Sequence, residues 1–144
     1  MIESLLKNAL FTKTSVAKAA GVDDITDGDI IDMQGYDSVC FVAILGEVTS
    51  GSVVTLKAYC GDNSALSDGA YKTTTAAVTA SGNDTDNNLM ILDVVRPGKR
   101  YVRADLVIDT QNSVVDSIIA IQYNARTLPV TQGAEVADSD LSVN

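Results

Sequence analysis

Histidine and tryptophan are both missing from this 144-residue chain, and aromatic residues make up only 5% of it. Without histidine there is no Ser-His-Asp or Cys-His nucleophile system, and most zinc sites are excluded. No Gly-x-x-x-x-Gly-Lys-Ser/Thr loop and no dinucleotide fingerprint occurs, so an enzyme would have to rely on carboxylates or lysine alone. The lack of tryptophan leaves little from which to build a sugar-stacking platform, which weakens a glycoside-hydrolase reading of any carboxylate pair. Positive charge is scarce too: ten Lys and Arg stand against nineteen Asp and Glu, for a net charge of −9. Phosphate backbones and anionic headgroups repel such a chain, so neither nucleic acid nor a membrane surface is expected as a partner. No apolar run reaches the ~20 residues of a transmembrane helix. The first twenty residues superficially look like a signal peptide, with Ala17-Lys18-Ala19 near their end. Glu3 sits where a positive n-region belongs, however, and Lys7 and Asn8 break the apolar stretch, so no export signal is expected.

Charged residues amount to 20% of the chain, a low share that suits a protein hiding surface in an assembly. What remains reads as strands and turns. Residues 38–45 are apolar on both faces, as in a strand covered on both sides. Residues 46–51 read as a turn. Beyond it Val54, Leu56, Ala58 and Cys60 alternate with Val53, Thr55, Lys57 and Tyr59. Residues 73–80 favour strand through their threonines, 89–95 form another apolar run, and 101–109 alternate with Val102, Ala104, Leu106 and Ile108 on one face. Residues 114–123 make the last strong strand. Leu5, Leu6, Ala9 and Leu10 suit a short helix, whereas residues 10–16 alternate as a strand, the preferred reading. The pattern predicts an all-β, antiparallel sandwich or barrel, jelly-roll-like or tulip-like, with about 6–8 strands. One domain is expected over residues 1–131, followed by an acidic, mobile tail at 132–144.

Cys40 and Cys60 are expected to be reduced and buried. A hairpin through residues 46–51 would set Cys40 opposite about Lys57 and Cys60 opposite about Asp37, so the two would not be cross-strand partners.

Two acidic clusters, residues 23–29 and 83–88, carry enough oxygens to suggest calcium, but neither has EF-hand spacing, and solvated turns account for both. No metal or cofactor is expected. The one basic cluster is Arg96, Lys99 and Arg100 about a Pro-Gly turn, with Arg103 beyond. These four side chains are the candidate contacts to an acidic neighbouring subunit, with a solvated hairpin turn as the bland alternative.

Three segments carry a resemblance: Asp32-Met33-Gln34-Gly35-Tyr36-Asp37-Ser38-Val39, Arg96-Pro97-Gly98-Lys99-Arg100-Tyr101-Val102-Arg103, and Val115-Asp116-Ser117-Ile118-Ile119-Ala120-Ile121-Gln122-Tyr123-Asn124-Ala125-Arg126-Thr127-Leu128-Pro129-Val130. As a set they resemble a family of small tailed-bacteriophage virion proteins of the capsid decoration or cement type. The likeness spans about residues 5–132. It implies a non-enzymatic structural protein on the capsid surface, made in the host cytoplasm, with the major capsid protein and further copies of itself, as a homotrimer, for partners. The rival readings are another virion station, such as a head fibre base or tail component, and a calcium- or carbohydrate-binding β-sandwich module.

Overall fold

The computed structural model describes residues 4–142. Residues 1–3, part of the stretch read as carrying no export signal, and residues 143–144, the end of the expected tail, lie outside them.

The chain opens with one helical turn, α1 (Leu5–Asn8), and continues directly into β1 (Leu10–Ser15), so the N-terminal stretch supplies both the helix and the strand that its sequence suggests. Nine strands follow: β2 (Lys18–Gly21), β3 (Ile31–Asp32), β4 (Tyr36–Val48), β5 (Val53–Gly61), β6 (Ala70–Thr74), β7 (Val78–Thr79), β8 (Leu89–Val95), β9 (Tyr101–Asp109) and β10 (Ser113–Ala125). They form two antiparallel sheets. The first has the order β1-β10-β4-β8, with β2 also on β10; the second has the order β3-β9-β5-β6, with β7 also on β5. The pairs β1/β10, β3/β9, β4/β8 and β5/β6 nest inside one another, as if one long hairpin had been rolled up, which is jelly-roll connectivity. The strand count exceeds the expected six to eight because β3 and β7 are two-residue pairings too short to show as periodicity.

Alternation places the core. On β9, Val102, Ala104, Leu106 and Ile108 point inward and are buried; on β5, Val54, Leu56, Ala58 and Cys60 do the same. Phe41, Leu45, Leu56, Leu106 and Ile118 are the largest fully buried side chains between the sheets. Each such side chain contributes roughly 1.5–3 kcal/mol on leaving water.

Three expectations need correction. Residues 46–51 do not close a hairpin: β4 belongs to the first sheet and β5 to the second, so the turn is a corner between sheets. Cys40 therefore lies across from Ile121 and Asp93, and Cys60 across from Val102 and Ala70; both thiols are free, Cys60 buried and Cys40 half-buried. Residues 96–99 are likewise no hairpin turn but the passage from β8 in one sheet to β9 in the other. The apolar run at 38–45 is covered on one face only. Val39, Phe41, Ala43 and Leu45 are buried, whereas Cys40, Val42 and Ile44 lie half-exposed on the outer face.

The outer edge of β1 is closed by the segment following β10. Val130 N–H donates to Lys7 O (2.8 Å), and Phe11 N–H donates to the Gln132 side-chain carbonyl (3.1 Å). The Gln132 amide donates to Leu6 O (2.9 Å) and Ala9 O (2.7 Å), while Lys13 N–H donates to the Glu135 carboxylate (3.1 Å). The segment expected to be a mobile tail thus begins with two residues tied to β1.

Candidate interaction surface

The three segments behind the resemblance lie far apart in sequence and meet at one end of the sandwich. Backbone bonds tie them together: Met33 N–H to Arg100 O (2.7 Å), Arg96 N–H to Asp37 O (3.1 Å) and Arg126 N–H to Gly35 O (2.9 Å). They enclose an open cleft of about 540 Å³ lined by residues 33–37 and 96–100 together with Asp62 and Arg126. Its backbone is unusual. Gly35 (φ 89°) and Gly98 (φ 76°) are left-handed, as glycine allows, but so is Arg96 (φ 49°). Left-handed non-glycine residues persist where surrounding contacts hold them, and such residues cluster at functional sites.

The four candidate basic residues have different fates. Lys99 pairs with Asp62 at 2.5 Å, which holds its ammonium pKa above the ordinary value. Arg100 makes a bidentate bond to Asp32 (2.9 and 2.8 Å), reaches Gln34 Oε1 (2.6 Å) and lies 5.2 Å from the Tyr101 ring centroid. That guanidinium holds the Asp32 carboxyl below its ordinary range. Arg103 does not line the cleft. It stands on the outer face of β9, bonded to Asp105 (2.6 and 2.9 Å), whose carboxylate is almost wholly buried. Arg96 is exposed and has no hydrogen-bonding side-chain partner among the described residues. Arg126, which sequence reasoning did not single out, adds a further cation to the cleft; it is 73% exposed and donates to Asp37 at 3.3 Å. The Arg103–Asp105 pair was legible as opposite charges two apart on a strand; the partners Asp32 and Asp62 come from distant segments and left no local signal.

A second surface was missed because alternation alone does not say whether an outward apolar row is covered. Across the outer face of the first sheet run the rows Lys13–Ile119–Val42–Ile91 and Phe11–Ile121–Cys40–Asp93. On β8, Leu89, Ile91 and Val95 are 57%, 58% and 59% exposed. Contiguous outward apolar side chains of this kind mark interaction sites. Nearby, burial and then the Asp93 carboxylate push the Cys40 thiol pKa up. Burial, together with a hydrogen bond to Asp93, does the same for the Tyr123 hydroxyl.

The carboxylates of the two acidic clusters are partly engaged as backbone caps. Asp24 accepts from Ile108 N–H (2.9 Å), Asp84 from Ser81 N–H (2.8 Å) and Asp86 from Val48 N–H (2.8 Å). Such caps fix loops onto the neighbouring backbone.

No protein-family model matches the chain, and no curated protein matches its sequence. Among solved structures it is similar to a chain in the structure of infectious bursal disease virus Gx strain, with 14% identity and a TM-score of 0.41 over 87% of this chain. This chain covers 32% of that one.

Proposed function

We propose that this chain is a structural virion protein that binds the outside of a tailed-phage capsid and stabilises the shell, catalysing nothing. One observation carries the reading. The three segments that resemble decoration proteins, separate in sequence, converge on a single cleft at one end of a jelly roll. That cleft also gathers Arg96, Lys99, Arg100 and Arg126, four of the ten basic residues on a chain of net charge −9. Guanidinium groups there can pair bidentately with carboxylates of the major capsid protein. Arg96 is the most available; Lys99, Arg100 and Arg126 would have to share or exchange Asp62, Asp32 and Asp37. Many weak contacts repeated over a lattice add up, and a ligand that binds only the assembled shell stabilises it by mass action.

Co-sedimentation with undecorated capsids tests the reading. The wild type should bind and raise the temperature at which shells disrupt. Replacing Arg96, Lys99, Arg100 and Arg103 together by Ser should lower occupancy, and added salt should weaken wild-type binding in the same way. A second variant that keeps Arg103 separates lost contact from lost stability. Wild-type occupancy of the second variant would remove the cleft as the contact. Attachment to tails or fibres rather than shells would move the protein to another station, and calcium-dependent thermal stabilisation with no binding to particles would favour the β-sandwich module.

A further inference from the structure

We infer that β8 is a docking edge for a second copy of this chain, which pairs with it about a twofold axis to join the two outer sheets into one. The ladder phase shows what the edge offers. The bonds from Leu45 N–H to Asn88 O (3.0 Å) and from Arg96 N–H to Asp37 O (3.1 Å) turn the backbone groups of Met90, Leu92 and Val94 toward β4. Those of Leu89, Ile91, Asp93 and Val95 therefore point away from the sheet. Among the described residues, none hydrogen-bonds to that edge. The edge carries no proline, no lysine and no bulge, and Asp93 is the one charged side chain on it.

The other edges are less available. That of β1 is closed by Gln132 and Glu135. In the second sheet β3 and β7 have two residues each, and β6 is short and irregular in register. A head-to-tail ring would need a second open edge to receive β8, whereas a twofold pairing needs only β8 itself.

The sequence of β8 suits that symmetry. With the axis at Leu92, Leu89 faces Val95 of the second copy and Ile91 faces its Asp93, and every outward N–H and C=O of the four residues is used. An axis at Asp93 would set the two Asp93 carboxylates directly opposite one another, which is unfavourable. The axis at Leu92 also lays the end of each β8, where Arg96 stands without a side-chain partner among the described residues, alongside Asn88 of the other copy. Asp84 and Asp86 lie in the loop just before that Asn88. The ends are thus complementary in charge, and the exposed row of Leu89, Ile91 and Val95 becomes continuous across the seam. The result is a dimer, where the family resemblance implies a trimer, and it does not depend on capsid binding.

The test uses the full chain. Sedimentation should show a dimer at micromolar concentrations. Its fraction should rise with salt, because screening relieves repulsion between two chains of net charge −9 while leaving backbone pairing intact. Ile91→Lys places a charge on the seam. Ile91→Pro removes an N–H that faces outward and is not used within the chain. Both variants should be monomers with an unchanged β-sheet circular dichroism spectrum. Amide exchange of the wild type supplies a measurement free of variants: Leu89, Ile91, Asp93 and Val95 should exchange more slowly as concentration rises. A monomeric wild type, an oligomer that survives in both variants, or fast exchange at those four amides at every concentration would overturn the inference.

Discussion

Arg103 was a candidate contact residue by sequence, and its surroundings predict a different role. The segment before β3 flanks the edge of this part of β9, where Ile25 and Leu106 exchange backbone hydrogen bonds of 2.8 and 3.0 Å. Here the Asp105 side chain is 6% exposed and the Arg103 side chain 24%. Replacing Arg103 by Met keeps most of the apolar stem beside Tyr59, its partner on β5, but leaves the Asp105 carboxylate buried without its two charged donors. Removing one partner of a buried pair costs about 3–5 kcal/mol. Arg103 is partly exposed, so water can reach the vacated position, and the expected cost falls to about 2–3 kcal/mol. For a chain of this length that lowers the melting temperature by about 5–10 °C. Replacing both members, Arg103→Met with Asp105→Leu, removes the stranded charge and should return to within about 1 kcal/mol of the wild type. Urea unfolding of the wild type, both single variants and the double variant closes the cycle. The reasoning is refuted if Arg103→Met costs less than about 0.5 kcal/mol. If capsid attachment is nevertheless lost in that variant, Arg103 is a contact and not a support.

Stability should fall in acid: the Asp32, Asp68 and Asp84 carboxyls lie below their ordinary 3.8, held by Arg100, by the Asp62 and Asn63 N–H groups, and by the Ser81 N–H with the Thr85 hydroxyl. A depressed carboxyl contributes stability above its ordinary value and loses it as pH falls through the lowered one, so the urea midpoint should drop below about pH 4, and Asp32→Asn should converge with the wild type there. Gln132→Ala should cost about 1–2 kcal/mol through lost hydrogen bonds and should increase aggregation by opening the β1 edge, read by unfolding and light scattering. Alkylation in the folded state should label Cys40 slowly and Cys60 more slowly still, and both thiols should label fully after denaturation without reductant; an unlabelled pair would reveal a disulfide.

Local alternation was enough to locate β5 and β9, because whether a strand side chain faces the core or the solvent repeats every two residues wherever one face is buried, and the strand signals at 89–95 and 114–123 were enough for β8 and β10. The scarcity of helix signals was enough for an all-β sandwich, and the basic cluster about Pro97 and Gly98 was visible as a run. Sheet membership was not legible. The turn at 46–51 looks the same whether it closes a hairpin or carries the chain round a corner, since the choice depends on whether β10 or β5 occupies the flank of β4. That is settled by pairings as distant as Ala125 with Tyr36. For the same reason the pairing of Lys99 and Arg100 with Asp62 and Asp32, the tethering of Gln132 to β1, and the bare outer row of β8 belong to the tertiary structure alone. Each depends on which remote segment fills, or leaves empty, the space beside a strand, and no local period encodes that.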